Sequence, residues 1–340
     1  PLGISFFTFQ AMAYDIDVYR GLRAERNPVN FTFFISFFPQ LVAGPIIRAR
    51  EFLPQITVKK IFNSKSFEMG GYLILWGLIK KVVIADNLAP LVNEYFSHPL
   101  NTFINTWIAV YAFAFQIYCD FSGYCDIAIG AAKMLGFDIP LNFRQPYLAR
   151  SIESFWRHWH ITLSNWFRDY VFIPMGGSRV QELRCYANLL ATMAIAGLWH
   201  GANYTFVAWG LYHGFILVLN KIYNKYINIK IPKIIAILFT FHLVCIGWIF
   251  FRAENIYSAW NVLCSAFRIH KFGVVSLPNV LSLVFFSLPL LVLQVFERRF
   301  SLKQNFIKFP LVFKTAFVIG AVLSITLFGV GGNDFIYFEF

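Results

Sequence analysis

Long apolar runs alternate with short basic connectors along almost the whole chain. Residues 1–20, PLGISFFTFQAMAYDIDVYR, read as the latter part of an apolar helix, with Asp15 and Asp17 marking its exit to water and a polar turn from Arg20 to Pro28. The run FTFFISFFPQLVAGPII, 31–47, is barely long enough to span a bilayer. Pro39, Gly44 and Pro45 interrupt it, so a re-entrant or kinked segment is expected there. Arg48 to Lys65 is a basic connector of the kind found on the cytoplasmic side. Residues 67–97 predict one long helix with Lys80 and Lys81 in its middle. Lysines at that depth must snorkel to an interface or face a wet cavity. A second long pattern, 103–136, carries Asp120 and Asp126. Further spans are predicted near 233–251, 278–296 and 309–330, separated by the basic loops Lys221–Lys233 and Arg298–Lys308. The piece 255–271 is short and amphipathic enough to lie on the membrane surface.

Composition sets the solvent. The chain is 58% hydrophobic and 14% charged, against about a quarter charged in soluble domains. Lipid offers no partner to an open strand edge, so the predicted fold class is all-α: a polytopic integral membrane protein with about eight embedded helical segments. No repeat and no soluble domain is visible, and residues 1–340 read as a single membrane domain. The formal charge of +12 fits basic cytoplasmic loops in a bilayer protein, and no nucleic-acid partner is expected. A basic cytoplasmic face would also suit an anionic cosubstrate. The five cysteines are odd in number, match no ligand spacing and read as small buried hydrophobes. No H-E-x-x-H or comparable spacing supports a metal.

One polar, aromatic stretch stands out, from Asn142 to Gly214. It holds His158, His160, His200 and His213 of the seven histidines and five of the nine tryptophans. His200 ends an apolar run in GLWHGAN, between Gly197 and Gly201. An ionisable group at such depth is costly when charged and is a functional candidate by default. A neutral imidazole is a general base of suitable strength near pH 7, and the glycines would leave room for a substrate. The bland alternative is a histidine bonded across a helix interface. His160 lies in FWRHWHITLSNWFRDY, which has no clean helical face and predicts an irregular, packed region. His158 and His160, at i and i+2, point in different directions on a helix and would not act as a pair.

Arg144, Arg150, Arg157, Arg168, Arg179 and Arg184 stand against Glu153, Asp169 and Glu182. Arginine's planar fork suits phosphate, and the loop Pro174–Arg179 (PMGGSR) could offer backbone N–H groups to an anion. An internally paired basic loop explains the same spacing. Asp120, Ser122 and Asp126 form a third candidate site, either functional or a lock paired with one of these arginines. No G-x-S-x-G elbow and no Asp five residues after His160 or His200 marks a covalent nucleophile, and none of Cys119, Cys125 and Cys185, the cysteines near this stretch, has a histidine nearby in sequence. Direct transfer is the simpler chemistry.

The chain resembles the membrane-bound O-acyltransferases, in the bacterial branch that O-acetylates alginate, peptidoglycan and other exopolysaccharides. The matching pieces are GISFFTFQAMAYDIDVYRG, FFPQLVAGPIIR, DFSGYCDIAIG, NFRQPYLARSIESFWRHWHITLSNWFRDYVFIPMGG, GLWHGANYTFVAWGLYHG and the closing FIYFEF. The resemblance implies a ring of helices around a thin waist, with His200 as the buried catalytic histidine and His160 as the second. It implies acetyl-CoA as cosubstrate with no bound cofactor. It also implies a secreted or periplasmic acetyltransferase as partner, a polysaccharide acceptor, and residence in the bacterial cytoplasmic (inner) membrane. Asp120, Ser122, Trp156, Arg157, Arg168, Asp169, Trp199 and Asn203 are the expected donor- and substrate-binding residues, with Asn203 or backbone N–H groups near Gly201 as the oxyanion donor. Two departures are visible. Family members carry further N-terminal membrane helices, so the chain reads as part of a longer protein, and His158 stands where arginine or another residue is usual. Three other readings stay open: a proton-coupled transporter or channel, an inactive membrane scaffold, and, within the family, D-alanyl transfer to teichoic acid.

Overall fold

The computed structural model describes residues 4–41, 44–100, 102–227, 229–300, 305–331 and 335. The FIYFEF run beyond Phe335 and residues 301–304 of the second basic loop lie outside them. The described residues are helical or irregular, with no strand among them. Among the described residues, four helices are long and apolar enough to cross a membrane: Tyr204–Ile227, Lys233–Arg252, Leu277–Phe300 and Leu311–Phe328. Only 17% and 6% of the last two are buried, which makes them lipid-facing surfaces. The chain divides into two compact units, one from Pro1–Ile84, Tyr118–Asn142 and Phe296–Glu339, the other chiefly from Ala85–Ile117 and Phe143–Val295.

In the first unit, α1 (Ile4–Tyr19) ends where the sequence turns polar. The interrupted run that follows is broken as expected, into α2 (Pro28–Ser36) and α3 (Phe38–Leu41). Asn27 caps α2 by accepting the Val29 N–H. The basic connector is not all loop: it contains α4 (Ala49–Ile56). Phe34, Phe37, Phe52 and Phe137 pack as one aromatic core, with ring centroids 4.8 Å apart for Phe37–Phe52 and 5.2 Å for Phe37–Phe137.

The predicted 67–97 helix is present as α5 (Ser64–Leu78), a π-helical segment Ile79–Ala85, and α6 (Asp86–Ser97). The π segment falls on the two lysines. Lys80 Nζ lies 2.7 Å from Asp126 Oδ2 and donates to Ser122 Oγ at 2.9 Å, while Lys81 Nζ lies 2.5 Å from Asp120 Oδ1. The carboxylates belong to α7 (Phe103–Met134). Lys80 is 2% exposed and so does not reach for an interface, and the aspartates pair with lysines, where the sequence suggests arginines as partners of a lock. The extra residue of a π turn lets adjacent Lys80 and Lys81 both reach the same neighbouring helix.

That reach requires α5 and α7 to touch. A Cβ added at Gly77 would stand 2.5 Å from the Gly123 carbonyl oxygen, and one at Gly130 would stand 2.6 Å from that of Gly70. The two glycines on each helix are one heptad apart and meet in antiparallel order. Small residues at such a seam allow backbone-to-backbone packing where lipid supplies no hydrophobic drive.

In the second unit, α10 (Glu182–His200) and α11 (Tyr204–Ile222) form a tight hairpin. A Cβ at Gly197 would strike the Phe206 carbonyl, and one at Gly210 the Met193 carbonyl. α12 (Lys233–Arg252) packs on α11, and α13 (Ile256–Phe267) is the short amphipathic helix expected near 255–271. α14 (Leu277–Phe300) and α15 (Leu311–Phe328) complete the set.

Candidate active site

The segment after Asn142 holds several short helical pieces stitched by its own polar groups. Arg144 N–H donates to the His158 carbonyl (3.0 Å), and Tyr147 OH to the Ala114 carbonyl (2.6 Å). Trp248 Nε1–H donates in turn to Tyr147 Oη (3.2 Å). Ser151 caps the five-residue α8 (Ile152–Trp156) by accepting the Ser154 N–H. The chain then turns sharply into α9 (Ile161–Phe167), and His160 makes that turn with φ 42° and ψ 56°. A histidine in the left-handed region costs about 1–3 kcal/mol and persists only where its surroundings enforce it. Here they do: the ring is 1% exposed, parallel to Phe143 at 6.5 Å. His158 faces elsewhere, with Nδ1 2.6 Å from the Ser154 carbonyl, so the two histidines are separate as expected.

His200 is the last residue of α10 and keeps part of its surface open. Asn203 holds the turn beyond it: Oδ1 accepts the Thr205 N–H (3.0 Å) and Nδ2 donates to the Glu254 carbonyl (2.8 Å). The Asn203 side chain is therefore engaged as the cap of α11. The glycines beside His200 do not open space for a substrate either, because Phe206 fills it: a Cβ at Gly201 would stand 2.7 Å from the Phe206 ring.

Aromatic rings enclose His200. Trp199 lies 4.8 Å away centroid to centroid, Trp209 and Phe251 each 5.0 Å in edge-to-face geometry, and Phe206 6.2 Å. Trp199 is also 6.3 Å from the His160 ring, so it borders both histidines. Burial pushes the His160 imidazole well below the usual histidine range, and the nearby His200 adds to the shift. His160 is thus a neutral hydrogen-bonding group at physiological pH, with one nitrogen to donate and one to accept.

The other expected binding residues divide. Trp156 joins the aromatic cluster, 5.7 Å from Trp209. Arg157 is paired with Glu153 (2.5 Å) and Arg168 with Asp169 (2.7 Å), with both guanidinium groups exposed. Asp120 and Ser122 belong to the first unit, with the lysines. The Pro174–Arg179 loop is an internally bonded helix terminus rather than an anion cradle. Gly176 N–H donates to the Ile173 carbonyl and Gly177 N–H to the Phe172 carbonyl, both at 2.9 Å.

Two rings around His200, Phe206 and Phe251, escaped the sequence reading, and Trp209 entered it only as one of the five tryptophans. His213, fully buried and 5.0 Å from the Trp209 ring, was noted only as one of the four histidines. Thr205, Trp209 and His213 recur every fourth residue on α11, a signal of one buried face that was available. Phe251 comes from α12 and left no local trace.

An all-helical, membrane-embedded scaffold carrying a histidine at a helix end beside a second, deeply buried one defines a class of intramembrane protein with acid–base potential. The chain belongs to the membrane-bound O-acyltransferase family, whose model matches residues 4–260. It is 43% identical over 268 residues to the probable alginate O-acetylase of Azotobacter vinelandii, covering 78% of this chain and 54% of that protein. It is 40% identical to the peptidoglycan O-acetyltransferase of Helicobacter pylori, covering 77% of this chain and 56% of the relative. A more distant relative, the teichoic acid D-alanyltransferase of Bacillus subtilis, is 29% identical, covering 74% and 69%. The chain spans about half the length of the first two relatives.

Proposed function

We propose that the protein is an O-acetyltransferase of the bacterial inner membrane. It takes acetyl from cytoplasmic acetyl-CoA and moves it toward a cell-surface polysaccharide such as alginate or peptidoglycan, through a secreted partner acetyltransferase. The observation that carries this reading is the pair itself: a partly open His200 at a helix end, enclosed by aromatic rings, beside a buried neutral His160. His200 removes the proton from the acceptor hydroxyl as its oxygen attacks the thioester carbonyl. When the C–S bond breaks, the same proton passes to the leaving thiolate, so ester and thiol form with no net proton change. His160 orients the reacting groups by hydrogen bonding. Trp156 and Trp199 wall the donor path, and Asn203 acts at one remove by fixing the turn after His200.

Acetyl rather than D-alanyl transfer is supported by the higher identity to the O-acetylating relatives, 43% and 40% against 29%. The deciding experiment incubates the purified full-length protein with acetyl-CoA and a hydroxyl acceptor and measures free thiol and acetyl ester together. Release of both supports the enzyme. Absence of both in an inserted, folded protein favours the transporter or scaffold readings.

The arginines give a second test. If Arg157 and Arg168 hold the phosphates of the donor, Arg157→Ala and Arg168→Ala each raise the KM for acetyl-CoA by about tenfold, the worth of one charged hydrogen bond. Initial rates across a range of acetyl-CoA concentrations check this. An unchanged KM would assign both arginines to their partners Glu153 and Asp169 alone.

A further inference from the structure

The first unit holds a cavity that the transfer chemistry does not use. The polar turn after α1 and one face of α4 border an open cleft of about 440 Å³, within the range of small-ligand sites. Arg23, Arg26 and Arg50 line it, with Glu25 as the one acidic residue and Leu22 and Leu53 among its apolar lining. Glu25 is already engaged, since its Oε1 accepts the Asn27 N–H at 2.9 Å. Arg50 makes only a glancing pair with Glu51, 3.6 Å apart with both groups well exposed. The lining therefore carries a formal excess of two positive charges.

A second feature points the same way. Helix α4 begins at this cavity, and its N-cap, Arg48, supplies no side-chain cap. Ala49 and Arg50 line the cavity and open the first turn, at the positive end of the helix dipole, where the Glu51 N–H is already taken by the Arg48 carbonyl at 3.0 Å. Guanidinium groups beside such a helix start match the requirements of a phosphate. The location narrows the source. α1 is apolar up to this turn and the basic connector follows α3, so the cavity sits where apolar helix gives way to polar chain. That is the depth of lipid headgroups, and the mixed apolar and cationic lining suits glycerol and phosphate together.

We propose that this cavity binds the phosphate of an anionic phospholipid headgroup. The proposal is independent of the role of His200. Its test uses the purified full-length protein and short-chain phosphatidylglycerol, with phosphatidylcholine and free coenzyme A as comparison ligands, and measures binding by native mass spectrometry and thermal shift. Phosphatidylglycerol should bind and raise the melting temperature, and phosphatidylcholine should not. The double variant Arg23→Glu, Arg50→Glu should weaken phosphatidylglycerol binding at least tenfold, since each cation near an anionic surface contributes about fivefold. The milder Arg23→Gln and Arg50→Gln should each show part of that loss if the double variant fails to fold. Binding of phosphatidylglycerol that ignores all these substitutions would overturn the assignment. So would arginine-dependent binding of coenzyme A without phosphatidylglycerol, which would make the cavity a nucleotide-phosphate site.

Discussion

His200→Ala lowers acetyl transfer by about 10²–10⁴-fold, the usual worth of a positioned general base, while the chain still inserts and folds. O-acetyl groups on the polymer, counted in cells carrying the full-length variant, report the first quantity. Detergent-solubilised yield and melting temperature report the second. His200 sits at a helix end with part of its surface open, so trimming it removes its ring contacts with Trp209 and Phe206 but leaves the close α10–α11 packing at Gly197, Gly210 and Gly214 in place. Retained acetylation in a folded His200→Ala protein would remove this residue from the chemistry. His160→Ala differs in kind: it empties a fully buried position at a left-handed turn, so losses of stability and activity are expected together.

The second large effect is on stability. Lys80→Ala or Asp126→Ala leaves one charge of a buried pair without its counterpart, and such truncations cost about 3–5 kcal/mol. Lys80 and Asp126 are 3% and 8% exposed at the side chain, so water cannot compensate the survivor. Removing both charges with a Lys80→Leu, Asp126→Leu double variant should recover most of the loss, because an apolar pair of similar size avoids the desolvation penalty. Thermal unfolding of the two single variants and the double variant in detergent gives the coupling directly. Single variants no less stable than the parent would mean that the pair is solvated and contributes nothing.

The helices were legible because the bilayer imposes a coarse rule on sequence. Runs at 233–251, 278–296 and 309–330 became α12, α14 and α15 within a few residues, and the Pro39 interruption marked a true break. What stayed hidden depends on contacts between distant segments. Lys80 and Lys81 looked anomalous, but nothing local says that Asp126 and Asp120 will reach them, since the register comes from glycines on two separate helices. At the site, His160 and His200 were visible as ionisable groups in apolar surroundings. The left-handed turn at His160 was not, because side-chain identity says little about a backbone state that packing enforces. Gly201 and Asn203 are ambiguous for a related reason: small and amide residues serve turns and caps as readily as substrates, and only the position of Phe206 and the Glu254 carbonyl shows what each one touches.

The meeting of Gly70 with Gly130 and of Gly77 with Gly123 bears on which parts of the molecule are free to move. A slide of one helix along the other by a single residue would drive a side chain into a peptide carbonyl at both crossings at once. The pair thus behaves as a clamped strut, without the freedom to ratchet. Any rearrangement of the first unit must be sought in helices outside this strut.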